Sequence, residues 1–205
     1  MIRIYVPRDT TACSLGADQV AGRFATAIAD AGLNMEVLRN GSRGLYWLEP
    51  MVEVDTDRGR IAFGPVGEAD VRQLMADRFW EGATEHRLAL GLTEEIPFLK
   101  NQQRVTFSRV GIIDPLSLKD YCAQQGFEGL NAALSMSAQD IVSCITQSGL
   151  RGRGGAAFPT GVKWQTVLDT PSDMKYIVCN ADEGDSGCYA DRMLMESDPF
   201  SLIEG

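Results

Sequence analysis

The residues from Ser148 to Gly161, SGLRGRGGAAFPTG, set Arg151 and Arg153 in a run of small side chains, and Lys163 follows directly. Glycine backbone lets a ligand come close to the chain's amides. Val162, Trp164, Val167 and Leu168 predict a helix beginning near Gly161, and a helix N-terminus presents unpaired N–H groups and a dipole that both favour an anion. Three cations around such a loop, in a chain of net charge -9, select a phosphate-type ligand. A flexible surface turn would account for the glycines but not for the cations. The spacing Gly152-x-Gly154-x-x-Ala157 matches the dinucleotide fingerprint, which requires a strand before it. Here the preceding DIVSCITQSGL reads as a helix, so a Rossmann site is set aside.

A second group follows one helix later, in KYIVCNADEGDSG. The unbroken apolar run Tyr176 to Cys179 predicts a parallel strand covered on both faces, which delivers Asn180, Asp182, Glu183 and Asp185 to its C-terminal end. Ligands of open α/β sheets sit at that edge. Carboxylates and an amide on such a turn accept hydrogen bonds from ribityl or ribose hydroxyls, and the spacing is not that of a calcium loop. An anion cradle and a hydroxyl-reading turn suit a phosphorylated, polyhydroxylated cofactor, either flavin mononucleotide or a nicotinamide dinucleotide.

The elements that would carry these groups fall into two regions. Residues 2–6 predict a strand. Val20, Phe24 and Ile28 predict a helix closed by Gly32, and Met35 to Leu38 a short strand. MVEVDTDRGRIAFG predicts a hairpin, and Val71, Leu74 and Met75 a helix after Gly67. This β-α-β-β-β-α order is that of a thioredoxin-like domain over residues 1–80. Cys13 is its only thiol, so neither a dithiol pair nor a four-cysteine iron-sulfur cluster can form there. Residues 81–105 read as a polar, irregular linker. In 106–205, a helical pattern follows Asp114-Pro115, and Ser137 with Asp140 caps another helix that Gly149 ends. The fold class is α/β.

Composition narrows the function classes. A chain that is 44% hydrophobic and 23% charged folds as an ordinary soluble protein, and its apolar runs are too short for a membrane span or a signal peptide. A cytoplasmic protein is expected. The acidic balance argues against nucleic acid as a general partner. The five cysteines contain no C-x-x-C and read as buried thiols, and His86 reads as a solvated residue with no partner histidine. No catalytic acid or base and no metal ligand set is written here.

At SGLRGRGGAAFPTGVKW and KYIVCNADEGDSGCYADRMLMESDPFSLIEG the chain resembles the flavin- and NADH-binding subunit shared by respiratory complex I, NAD-reducing hydrogenases and NAD-dependent formate dehydrogenases. FLKNQQRVTFSRVGIIDPLSLKDY resembles that family's lead-in. The segment Val37 to Gly44 and the text WLEPMVEV resemble the beta subunit of soluble, molybdenum-containing formate dehydrogenase. The hydrogenase relatives tend to keep cluster cysteines in the fused N-terminal domain, whereas complex I usually places that domain on a separate chain.

The resemblance implies that Gly152, Arg153, Gly154, Gly155, Lys163, Asn180, Asp182 and Glu183 line FMN. It places Phe158 against the adenine of NAD and Asp185 on the dinucleotide. Asp185 stands where the family commonly has glutamate, Ser186 where it has proline, Ala157 where it has glycine, and Cys188 where it commonly has threonine. The implied activity is electron exchange between iron-sulfur clusters, FMN and NAD+/NADH, with an iron-sulfur gamma subunit and a molybdenum alpha subunit as partners. The family's later dinucleotide contacts and the cysteines of its 4Fe-4S cluster are not in these residues, so residues 106–205 read as the first portion of a truncated domain. The flavin-binding chain of complex I or of a hydrogenase is the alternative, and a non-catalytic assembly module is a further one.

Overall fold

The molecule is described by a computed structural model in which residues 1–83 and 85–205 are placed. Thr84, inside the segment read as a linker, lies outside the described residues. The chain divides into two units, one of residues 1–124 with 183–203 and one of residues 125–182 with 204–205.

The first unit is built on a five-stranded sheet of order β2-β1-β3-β4-β5. Strand β1 (Ile2–Tyr5) leads into helices α1 (Thr10–Ser14) and α2 (Ala17–Asp30), and the chain returns as β2 (Met35–Leu38), parallel to β1. The carboxylate of Asp9 starts α1 by accepting from the amides of Thr11 and Ala12. Strands β3 (Val52–Thr56) and β4 (Gly59–Phe63) form the expected hairpin, with β3 antiparallel to β1. Helix α3 (Glu68–Ala76) follows, its first turn fastened where the Gly67 amide donates to Asp70. One parallel pair joined to an antiparallel hairpin is the thioredoxin-like arrangement that the order of elements predicted. Ile4, Phe24, Val54, Ile61, Phe63 and Phe79 fill the core, with the Phe63 and Phe79 rings edge to face at 5.4 Å.

Residues 81–105, read from the sequence as a linker, carry structure of their own. Strand β5 (Ala89–Leu92) pairs with β4, and the short helix α4 (Pro97–Lys100) follows with Leu99 buried. The segment is polar, but its buried Leu88, Ile96 and Leu99 tie it to the sheet, while Phe98 and Val105 stay exposed. His86 is likewise drawn in. Its side chain is only 8% exposed, its ring lies 6.2 Å from Phe63, and Nδ1 accepts from the Leu88 amide, which corrects the solvated reading. Helix α5 (Leu118–Ala123) begins at a Ser117 cap.

In the second unit, α6 (Glu128–Leu134), α7 (Ala138–Ser148) and α8 (Thr160–Asp169) are the helices. Ser137 Oγ accepts from the Asp140 amide, and Gly149, at φ +69°, ends α7, both as the residue types require. The segment Tyr176–Cys179 departs from expectation. It forms no strand among the described residues, and Ile177 is 98% exposed. A strand is stabilised by a hydrogen-bonded neighbour, and every described strand of this chain belongs to the other unit's sheet. From residue 183 the chain rejoins the first unit, where it forms α9 (Ala190–Ser197) and most of α10 (Pro199–Glu204). The buried-thiol reading is corrected too: Cys122, Cys144, Cys179 and Cys188 are exposed and Cys13 half-buried. The first two lie on the solvent side of α5 and α7, and the other two lie outside the helices and strands.

Candidate functional site

The glycine-rich segment folds as a closed loop between α7 and α8. Arg151 and Pro159 pair as an isolated antiparallel bridge, the Gly152 amide donates to the Phe158 carbonyl at 2.9 Å, and the Thr160 amide donates to Leu150 at 3.0 Å. Arg151 closes the stem further by donating from its guanidinium to the Ala157 carbonyl. Gly154 and Gly155 form the tip, where a Cβ would meet nothing within 4 Å. Gly155 has φ +98° and Ala157 φ +50°, the latter a left-handed conformation that costs a residue with a Cβ about 1 kcal/mol.

Helix α8 leaves this loop with its start uncapped. Pro159 occupies the cap position without a side-chain acceptor, and the first turn holds no acidic residue. The leading amides of α8 are thus unclaimed by any side chain, beside Lys163 in the same turn. Arg153 has no hydrogen bond or ion pair among the described residues, so both cations are available to an anion. Phe158 is half exposed, as a stacking platform must be. These features fit a phosphate group.

The acidic turn divides at the boundary of the two units. Asn180 and Asp182 belong to the second, where Asn180 Oδ1 accepts from the Asp182 amide at 2.8 Å in an Asx turn. Glu183 and Asp185 belong to the first. The Glu183 carboxylate accepts from the amides of Asp191 at 2.8 Å and Arg192 at 3.3 Å and so caps α9. Those bonds, the Asp191 amide foremost, hold it below the usual carboxylate range. The backbone carbonyl of Asp185 accepts from the Cys188 amide.

A cavity of about 500 Å³ in the second unit lies between α7, α8 and the chain at 175–177, with Ile141, Val142, Trp164 and Tyr176 in its wall. None of the residues chosen from the sequence lines it.

Sequence reading missed a buried polar network in the first unit. Glu53, fully buried on β3, accepts from Arg43 Nε at 3.1 Å and from Arg60 at 3.3 Å, and Asn40 donates to the Gly111 carbonyl. Glu49, also buried, accepts from Ser42 Oγ at 2.6 Å and from the Met51 amide, and burial pushes its carboxyl up to about 7. Asp198 is fully buried against Arg109. The alternation Val52-Glu53-Val54 reads Glu53 as an outward residue, so local pattern carried no sign that it is buried.

Residues 145–205 match the Nuo51 FMN-binding domain. Among individual proteins, the chain is 50% identical over 105 residues to NADP-reducing hydrogenase subunit HndC of Solidesulfovibrio fructosivorans, covering 51% of this chain and 21% of that one. It is 45% identical over 89 residues to an NADH-quinone oxidoreductase subunit of Aquifex aeolicus, covering 43% and 21%. The chain thus spans about a fifth of the length of these curated relatives. Among solved structures, a thioredoxin-like 2Fe-2S ferredoxin from Aquifex aeolicus aligns with 44% of this chain and 97% of its own at 20% identity and a TM-score of 0.39. An NAD+-reducing NiFe-hydrogenase aligns with 95% of this chain and 32% of its own at 20% identity and a TM-score of 0.37. No helix among the described residues is long and apolar enough to cross a membrane.

Proposed function

We propose that this chain is the flavin- and NAD(H)-binding part of a multisubunit oxidoreductase, and specifically of an NAD-dependent formate dehydrogenase. The observation that carries the reading is the loop at Gly152 to Phe158. Its stem is closed by backbone bonds, its tip is bare glycine, and it feeds an uncapped helix start with Arg153 and Lys163 unpaired among the described residues, within the residues that match an FMN-binding domain.

In this reading Gly152, Arg153, Gly154, Gly155 and Lys163 hold the FMN phosphate through amides and fixed charge. Asn180, Asp182 and Glu183 accept from the ribityl hydroxyls, Phe158 stacks on adenine, and Asp185 contacts the dinucleotide. Bound FMN supplies the hydride exchange with nicotinamide and the one-electron exchange with iron-sulfur clusters. The chain's own residues bind and orient. Their carboxylates place negative charge around the site, and no side chain of the set is asked to move a proton.

Residues 106–205 would then be the first portion of the FMN/NADH-binding domain and 1–80 a thioredoxin-like domain without a cluster, whose sheet residues 81–105 extend by β5. The partners would be an iron-sulfur gamma subunit and a molybdenum alpha subunit, and the 4Fe-4S cluster would be ligated outside these residues. The likeness to a hydrogenase subunit supports a second reading, in which the electron donor is hydrogen. The intact complex is tested by its flavin absorption before and after anaerobic NADH addition, and then by NAD+ reduction with formate or hydrogen. A flavin spectrum bleached by NADH with turnover on formate is expected. A colourless protein would leave the assembly-module reading, and turnover on hydrogen alone would favour the second.

A further inference from the structure

Residues 183–203 fold with the thioredoxin-like unit, and α9 carries several of the contacts that hold them. At the start of α9 the Glu183 carboxylate receives the amides of Asp191 and Arg192. Within the helix, the Arg192 guanidinium donates to Thr11 Oγ1 at 2.7 Å and lies over the rings of Tyr46 and Tyr189. At its far end Glu196 accepts from the Thr10 amide at 2.9 Å and from Thr10 Oγ1 at 2.7 Å, so it caps the start of α1 as Glu183 caps α9. Ser197 then packs on Gly41, where a Cβ would fall 2.9 Å from the Ser197 Cα. Asp198 closes on Arg109 at 2.8 Å.

We infer that the thioredoxin-like unit is a positioning device: through the relay Thr10–Glu196, Thr11–Arg192 and the capped start of α9, it fixes the acidic turn at Glu183 and Asp185 in the orientation that ligand binding requires. The inference rests on the flavin reading of that turn. A helix of eight residues is about 12 Å of stiff rod. Its two ends are tied by carboxylates accepting from backbone amides, which are stronger bonds than neutral pairs. Glu183 therefore cannot reorient without uncapping α9, and α9 cannot tilt without breaking the Glu196 bonds to α1. Glu196 and Thr11 touch no ligand in this scheme. They act through the helix, and they give a domain that carries no dithiol pair a task that needs none.

The test uses the full-length protein in its complex, with three substitutions: Glu196→Ala, Glu196→Gln and Thr11→Val. FMN affinity is measured by quenching of flavin fluorescence, exchange of the Asp191 and Arg192 amides by hydrogen–deuterium exchange, and folding by the melting temperature. We expect Glu196→Ala to weaken FMN about fivefold and to speed exchange at both amides, Glu196→Gln to recover most of the affinity, and Thr11→Val to weaken FMN by about threefold. The melting temperature should move by no more than a few degrees. If the wild type holds FMN and all three variants hold it equally, the positioning role is overturned. If the wild type holds none, the flavin reading itself has failed. If Glu196→Ala does not fold, Thr11→Val, which keeps the shape of the side chain, decides alone.

Discussion

Arg153 and Glu49 show how differently two charged residues of one chain are used. Arg153 stands on an exposed loop without a partner among the described residues, so it contributes almost nothing to folding, and its value lies in a ligand's charge. Arg153→Ala should leave stability within about 0.5 kcal/mol of wild type. It should also weaken FMN about tenfold, which a fluorescence titration would check, since bonds to a charged group contribute about 1.5–3 kcal/mol. Glu49 is the reverse case. Burial raises its carboxyl to about 7 against the opposing pull of Ser42 and the Met51 amide, with Asp9 and Glu53 adding to the rise. Because the folded value lies above the unfolded one, its contribution is fully present below about pH 4.5 and is lost as pH rises through about 7. Glu49→Gln should therefore flatten the fall in stability between pH 5 and pH 8 by about 3 kcal/mol, read from urea unfolding at both values.

Helices α7 and α8 carry the loop that would grip the phosphate, and one residue sets how closely they approach. A Cβ on Gly161 would lie 2.8 Å from the Cα of Thr146, so backbone meets backbone there and no side-chain rotation relieves the clash. Gly161→Ala should cost about 2 kcal/mol, measured by thermal unfolding, and should loosen FMN because the start of α8 moves with it. The start of α8 near Gly161 and the cap of α7 at Ser137 could be read from the chain, since both depend on neighbours a few residues away. The strand expected at Tyr176–Cys179 could not be checked that way. An apolar run states only that it wants cover, and whether it gains a ladder depends on a partner that local pattern does not name.

Across the whole molecule, the sharpest organising contact joins residues far apart in the chain. Arg109 donates to Asp198 over a separation of 89 residues, and Asp198 is fully buried. Removing the acid by Asp198→Ala would leave the mostly buried Arg109 guanidinium without a counter-charge, its remaining bond among the described residues being to the Gln124 carbonyl. The expected cost is about 3 kcal/mol in urea unfolding, accompanied by faster proteolysis of residues 183–203 as they detach from the thioredoxin-like unit.

The amino-acid order alone determined the thioredoxin-like succession of strands and helices, the hairpin at residues 52–63, the helix caps at Ser137 and Gly149, and the cationic glycine loop. Each of these is a short-range preference of backbone and side chain that acts wherever the segment lies. Tertiary structure alone decided that Glu53 and Asp198 are buried with arginines, that His86 turns inward, that residues 81–105 add a fifth strand, and that Glu183 caps a helix held by the N-terminal unit. Burial and pairing depend on partners brought together by folding, and a separation of many tens of residues along the chain leaves no periodicity from which they could be read.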